Sequence, residues 1–141
     1  MNYWLCVLNA ENWEVVKNRN VWGVTDRHRN KINQVKPGDI LIFYITKNYE
    51  IGGIMEAASE PYMSTEKIFG TLGFTDKEVF PNRVKLKPKL IPDNPVSFKE
   101  LVPKLKFIKN KRFWAGSLQG KAMRLIPQED YKIIKTALQK T

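Results

Sequence analysis

Apolar and polar positions follow one another in short blocks along the first 60 residues. Residues 3–8 (YWLCVL) and 40–45 (ILIFYI) are apolar throughout, which is typical of strands buried on both faces. After the turn TKNYE, residues 51–59 (IGGIMEAAS) have the composition of a strand that returns beside 40–45. Gly52 and Gly53 indicate a β-bulge or a close backbone approach within that strand.

Helical patterns lie between and after these strands. The predicted helices are residues 9–19, 26–35, 97–102 and 127–140, with a further helical turn near 64–69. Asn9 or Asn12 is the expected N-cap of the first helix, and Ser97 is the expected N-cap of the third. Pro127 suits the first position of the last helix. Residues 36–39 (KPGD) have the composition of a tight turn.

A third strand pattern, residues 82–91 (NRVKLKPKLI), alternates polar and apolar side chains. One face carries four basic residues: Arg83, Lys85, Lys87 and Lys89. Together with Pro88 they predict an edge strand protected against aggregation. A role in ligand binding is an equal alternative for these basic residues. AMRLI, residues 122–126, is the expected closing strand.

These elements predict an α+β fold: a small curved or barrel-like sheet with short helices at its openings. The 141 residues suit one domain spanning 1–141. No apolar stretch approaches the roughly 20 residues of a membrane span, and the first residues do not have the pattern of a signal peptide. Cys6 is the single cysteine, so an intramolecular disulfide is excluded. We expect a cytoplasmic, monomeric protein.

The net charge of +10 is unevenly distributed. Residues 1–82 hold 9 Lys and Arg and 10 Asp and Glu, whereas residues 83–124 hold 12 Lys and Arg and only Asp93 and Glu100. One third of the chain therefore carries the whole excess, which favours a polyanionic partner such as nucleic acid over a merely solvated surface.

The sequence has few residues suited to catalysis or metal binding. One His and one Cys cannot form a zinc or iron cluster, and IGGIM lacks the Lys and Ser/Thr of a phosphate-binding loop. Cys6 lies in an apolar strand and is expected in the core. His28 lies between Arg27 and Arg29, where it is suited to contact a phosphate or to act as a general acid. We expect no catalytic residue, metal or other cofactor.

Four tryptophans provide the other chemical signal. Trp4 and Trp13 lie in a strand and a helix, where a core position is expected. Trp22 (NVWGV) and Trp114 (RFWAG) lie in segments predicted to be irregular loops. Two such rings at a barrel opening can sandwich a flat base, at about 1–3 kcal/mol for each stack. Asn9 and Asn12 can supply hydrogen bonds to its polar edge.

Taken together, YWL, NW, VWGV, KPGDILIFYI, GGI and FWAG resemble the EVE domain family over essentially the whole chain. This family is a branch of the PUA-like superfamily and a relative of the YTH readers of methylated adenine. The resemblance implies a PUA-like β-barrel and a pocket for a modified base flipped out of a nucleic acid. One departure is that Tyr44 is followed by Ile45 and Thr46, where better-known EVE members have His-Ser, so the ligand of those members does not transfer.

The resemblance also implies roles for individual residues. Trp22 stacks on the base, Asn12 makes a polar contact, the Gly23 backbone lies beside the base, and Trp114 forms the second wall. The predicted base pocket comprises Asn12, Trp22, Gly23, Tyr44 and Trp114. The predicted phosphate contacts are Arg27, Arg29, Lys109, Lys111, Arg112 and Lys121. For Trp114 the alternative is packing on the core with Phe107 and Phe113.

The sequence thus predicts a non-enzymatic reader that binds RNA or DNA carrying a modified, methylated base. Two alternatives stay open. One is an RNA-processing or base-modifying enzyme that uses His28, and the other is a sensor of a free nucleobase or nucleoside whose basic face only keeps it soluble.

Overall fold

Eight strands form one strongly curled, half-barrel sheet in the computed structural model, which describes residues 1–69, 80–118 and 122–140. The strands are β1 (Tyr3–Leu8), β2 (Val21–Val24), β3 (Ile40–Ile45), β4 (Glu50–Ala57), β5 (Tyr62–Met63), β6 (Asn82–Leu90), β7 (Val96–Ser97) and β8 (Met123–Leu125). Their order is β2-β6-β4-β3-β1-β8, with β5 beside β6 and β7 beside β4. The predicted α+β class and curved sheet are confirmed.

Short helices surround this sheet. The α-helices are α1 (Ala10–Arg19), α2 (Arg29–Ile32), α3 (Phe98–Leu101) and α4 (Gln128–Gln139). Short 3-10 helices are present at Asp26–His28, Val102–Lys104 and Trp114–Ser117. None of the helices in the described ranges is long and apolar enough to cross a membrane.

Strand alternation divides the core into two clusters on opposite faces of β1 and β3. β1 and β3 are parallel, in register from Tyr3↔Ile40 to Leu8↔Ile45, and β3 is buried along its whole length. The Trp22 cluster on one face includes Trp4, Trp13, Trp22 and Phe43. The Tyr44 cluster on the other face includes Leu5, Tyr44, Phe98 and Ile134. Neighbouring residues such as Phe43 and Tyr44 therefore point into different clusters.

The turn before β3 is anchored by a buried carboxylate. Asp39 accepts hydrogen bonds from the Trp4 indole N–H at 3.2 Å and from the backbone N–H groups of Asn2 and Lys36 at 3.0 and 3.1 Å. Gly38 has a φ of 94°, a left-handed conformation that favours glycine. The predicted KPGD turn and the core position of Trp4 are confirmed, and the turn fixes the start of both parallel strands.

The two glycines of β4 allow the Trp13 side chain of α1 to pack closely on the sheet. The β3–β4 register pairs Phe43 with Gly53 and Tyr44 with Ile51, so Gly52 is the extra residue of a β-bulge. A Cβ on Gly52 would lie 2.6 Å from the indole of Trp13, which stacks on Phe43. The expected bulge is confirmed, and the close approach is that of the Trp13 side chain.

Several local predictions need correction. The helical turn expected at 64–69 is absent: β5 precedes this segment, and residues 64–68 have no regular structure. Strand β6 is an edge strand only in part: residues 82–85 pair with β2, whereas residues 86–90, which include Pro88, pair in the described structure with β4 on one side only. Ser97 precedes α3 without a capping hydrogen bond from its side chain.

Candidate functional site

A cavity of about 410 Å³ opens beside the carboxyl ends of the parallel strands β1 and β3. This volume is within the range of sites for small organic groups. Its lining residues come from several separated parts of the described chain: Val7, Leu8, Asn9, Asn12, Trp22, Gly23, Val24, Thr25, Arg27, His28, Thr46, Phe69, Phe80, Leu118 and Ala122. Apolar groups predominate, and a few polar groups lie among them.

Trp22 forms an aromatic part of the cavity wall. It lies on β2, and not on a loop as predicted, and only 4% of its surface is exposed. Pairing of β2 with β6 buries it, and its ring meets Phe43 edge-on at 5.6 Å between centroids. Its indole N–H has no hydrogen-bond partner in the described structure. Trp22 is consequently both a core residue and a cavity residue.

Gly23 is required by the part of the cavity wall that Phe69 and Phe80 form. A Cβ at this position would lie 2.8 Å from the Phe69 ring and 3.0 Å from the Phe80 carbonyl oxygen. Both of these phenylalanines line the cavity, so a larger residue would displace the wall that they form.

Arg83 holds that wall in place. Its Nε donates to the Phe80 carbonyl at 2.8 Å, and its guanidinium lies 5.5 Å from the centre of the Phe69 ring. Its two terminal nitrogens donate to the Ser64 hydroxyl at 3.1 Å and to the Glu66 carbonyl. Only 2% of Arg83 is exposed, which corrects its predicted place in the exposed row with Lys85, Lys87 and Lys89. The other three are exposed as expected.

Asn9 and Asn12 bring amides to the cavity. Asn9 is the N-cap of α1, and its side-chain oxygen accepts the backbone N–H of Asn12 at 2.8 Å. Asn12 is buried in the first turn, and both residues line the cavity. Since Trp13 fixes α1 on Gly52, the sheet itself determines where these amides lie.

The cavity rim carries basic residues on the 3-10 helix Asp26–His28. Arg27 and His28 both line the cavity, and Arg27 is exposed. Arg29 instead binds Asp26 at 2.8 Å and the Asn82 side-chain oxygen at 3.2 Å, so its guanidinium holds the turn. Asn82 also donates to Asp26 at 2.9 Å, and these hydrogen bonds from Asn82 and Arg29 lower the pKa of Asp26.

Partial burial and the neighbouring Arg27 lower the pKa of His28 from its ordinary value of 6.5. A lowered pKa favours the neutral form of the imidazole. This protonation state does not suit the general acid considered for His28 from the sequence.

Trp114 and Tyr44 lie away from this cavity. Trp114 packs on the Tyr44 cluster, with ring centroids 5.5 Å from Phe98 and 6.5 Å from Tyr44. Burial, and then the neighbouring Tyr49, raise the pKa of Tyr44 to about 12. The prediction that Trp22 and Trp114 form opposite walls of one pocket is wrong, because strand alternation sends Phe43 and Tyr44, and the rings that pack on them, to opposite faces. Trp114 packs on the core, as in the alternative, but its ring partners are Phe98 and Tyr44, and Phe113 is exposed.

The predicted phosphate contacts after residue 100 are on the surface. Lys109, Lys111 and Arg112 are exposed, and in the described structure none of them pairs with a carboxylate. The ammonium of Lys111 donates to the Leu105 carbonyl, and the Arg112 guanidinium lies 5.5 Å from the centre of the Phe113 ring. Lys121 lies outside the described residues.

Potential nucleophiles and metal ligands are not assembled at the cavity. Cys6 is fully buried, and burial raises the pKa of its thiol well above the ordinary value. Among residues 1–69, 80–118 and 122–140 there is no group of three or more His, Cys, Asp or Glu able to hold a metal ion.

Sequence reasoning missed most of the apolar wall. Phe69, Phe80, Leu118 and Ala122 come from segments that are distant in sequence and have no periodic pattern. For two of them, Phe69 and Phe80, the aromatic side chain itself is the one signal in the sequence. The interior role of Arg83 had no signal, because its alternation with lysines is that of a solvent-facing row.

The sequence model of the EVE domain family matches residues 2–137. The chain belongs to the EVE domain family. A UPF0310 protein of Pyrococcus abyssi is 51% identical over 146 residues, which cover 98% of this EVE domain chain and 100% of the relative.

Solved structures also resemble this EVE domain chain. A protein from Leishmania major has a TM-score of 0.67 at 17% identity, over 99% of this chain and 96% of its own. The Pho92 YTH domain in complex with m6A has a TM-score of 0.67 at 12% identity, over 99% of this chain and 85% of its own. The fold is therefore shared with YTH domains, as the sequence resemblance implied.

Proposed function

We propose that this EVE domain is a non-enzymatic reader that binds a nucleic acid strand and encloses one modified, methylated base in the cavity beside Trp22. The observation that carries the proposal is the composition of this cavity. An aromatic wall, amides at Asn9 and Asn12, and an exposed arginine at the rim meet within about 410 Å³.

Each part of the cavity matches one part of a flipped nucleotide. Apolar groups around Trp22 suit the flat faces of a base and favour an added methyl group, worth about 0.8 kcal/mol when it is removed from water. Amides suit the hydrogen-bonding edge, and Arg27 at the rim suits the phosphate. The YTH fold likeness adds support, because one such domain was solved in complex with m6A.

The excess of basic residues after residue 82 supports a polyanionic ligand. In this proposal Lys109, Lys111, Arg112 and Lys121 contact phosphates, together with Arg27 at the cavity. Such contacts provide affinity without sequence selectivity, whereas the cavity provides the selectivity for the modified base. Arg29 has a smaller part, because Asp26 and Asn82 already engage its guanidinium.

Combined replacement of Lys109, Lys111 and Arg112 by glutamine is expected to weaken oligonucleotide binding at all sequences. The slope of log affinity against log salt concentration should flatten by up to about 3 units, roughly one unit for each phosphate that is no longer neutralised. Fluorescence anisotropy titrations at several salt concentrations measure both quantities. Lys85, Lys87 and Lys89 are exposed lysines of β6, and their triple glutamine variant is the matched control.

An unchanged slope in the first variant, with a flattened slope in the control, would place the phosphate contacts on β6 instead. If the protein is instead a sensor of a free nucleoside, the wild-type protein should bind its ligand with little salt dependence.

The enzyme alternative is tested at His28. Incubation of the protein with methylated and plain RNA and DNA, with and without divalent metal, is expected to leave every substrate unchanged by mass spectrometry. His28→Ala should retain binding, because in this proposal the phosphate contacts come from Lys and Arg side chains and not from His28. Reproducible turnover that disappears in His28→Ala would contradict the reader proposal and favour catalysis.

A further inference from the structure

We propose that Tyr49, Phe113 and Trp114 form a second binding surface, the aromatic platform, on which the bases of a single-stranded nucleic acid stack. This inference rests on the proposed function, which supplies the class of ligand. It assigns a second contact area, on the face of the sheet that bears the Tyr44 cluster.

The exposed aromatic side chains of the described residues are concentrated at this platform. Among exposed large apolar side chains two are aromatic: Phe113 at 66% and Tyr49 at 50% exposure. Phe113 precedes Trp114 in the chain, and the Tyr49 ring lies edge-on to Trp114 at 5.5 Å between centroids. Exposed apolar side chains that occur together, and not singly, mark an interaction surface.

The platform residues are held in place before any ligand binds. The Asn110 side-chain oxygen accepts the backbone N–H of Phe113 at 3.0 Å and of Arg112 at 3.2 Å, which shapes the loop that presents the Phe113 ring. Tyr49 has a φ of 56°, which is uncommon for an aromatic residue, and its carbonyl accepts the Phe98 N–H at 2.8 Å. Trp114 packs on Phe98 beneath them.

Charge determines which partner suits this aromatic surface. Between Glu100 and Glu129 the chain has seven Lys and Arg and no Asp or Glu. Lys109 and Arg112 border the platform in sequence and have no carboxylate partner in the described structure. A polyanion that also carries flat rings satisfies both features, and a single strand does so because its base faces are free.

The platform is also connected to the cavity. The 3-10 helix Trp114–Ser117 is followed by Leu118, which lines the cavity. The segment that carries Trp114 therefore also contributes a residue to the cavity wall.

The test uses plain oligonucleotides of one sequence, a 12-nucleotide single strand and the corresponding duplex, so that no modified base is involved. Wild-type protein is expected to bind the single strand more tightly than the duplex. Phe113→Ala should weaken single-strand binding about 5- to 100-fold and reduce this preference, whereas Phe113→Trp should retain it. Leu125→Ala, at an exposed apolar position on β8, is the matched control and should change neither affinity.

Equal affinity of the wild type for single strand and duplex, or unchanged binding by Phe113→Ala, would overturn the platform. Poly-glutamate, a polyanion without aromatic rings, serves as a competitor. If it displaces the strand equally well from the wild type and from Phe113→Ala, the surface recognises charge alone and the platform proposal is overturned. Failure of the cavity proposal has a different signature: no discrimination between methylated and plain bases by the wild-type protein, with the Phe113 effect retained.

Discussion

Trp22→Ala is expected to lose about 1–3 kcal/mol of binding free energy for an oligonucleotide that carries a methylated base. The loss should be smaller for the plain oligonucleotide, because the methyl group gains most from the apolar wall. Since Trp22 is also a core residue, the same change should lower the free energy of unfolding by about 3–5 kcal/mol. Thermal melts and anisotropy titrations, carried out where the variant is fully folded, measure the two effects separately.

Two further variants separate binding from folding. Trp22→Phe retains an aromatic face and removes the unpartnered indole N–H, so its stability should fall much less than that of Trp22→Ala. Leu86→Ala empties another part of the Trp22 cluster that does not line the cavity, and should destabilise the fold without changing affinity. Full discrimination between methylated and plain bases by folded Trp22→Ala would exclude Trp22 from the binding site.

The largest loss of stability is expected for Trp4→Ala. Trp4 is fully buried between strands that pair on both sides of β1, and its indole donates to Asp39. The cavity left by the ring should lower the free energy of unfolding by about 3–5 kcal/mol, and loss of the Asp39 hydrogen bond loosens the turn that starts β3. Chemical denaturation measures this loss of unfolding free energy, provided that the m-value of the variant equals that of the wild type.

Trp114→Ala provides the contrast. Trp114 is only half-buried on the Tyr44 cluster, so its replacement should cost less stability than Trp4→Ala. Affinity for methylated and plain strands should fall equally with the platform, so the discrimination between the two bases should be unchanged. Loss of that discrimination by a folded Trp114→Ala protein would restore the two-walled pocket predicted from sequence. A melting temperature as low as that of Trp4→Ala would make Trp114 an essential core residue.

Local chemistry was sufficient to predict the elements that position the site. Uninterrupted apolar runs specify β1 and β3, and the Asn9 side chain caps α1 at the expected place. The glycines of β4 indicated a bulge or a close backbone approach, and the structure has the bulge and a close approach of the Trp13 side chain. These features depend on residues near one another in sequence, where propensity and hydrogen bonding act directly. The EVE motifs also predicted the curved sheet and the position of Asn12, Trp22 and Gly23 beside one cavity.

Only the tertiary structure decided on which face of the sheet each aromatic ring lies. Trp22 and Trp114 have similar local sequences, yet pairing of β2 with β6 buries the first beside the cavity, while Trp114 packs on Tyr44 across the sheet. By alternation, Arg83 belongs to a row of exposed basic residues. Its guanidinium is instead buried, because it donates hydrogen bonds to Ser64, Glu66 and Phe80. Sequence determined which segments form strands and helices, because their patterns are local. The assembly of the cavity depends on long-range contacts between segments that carry no pattern of their own.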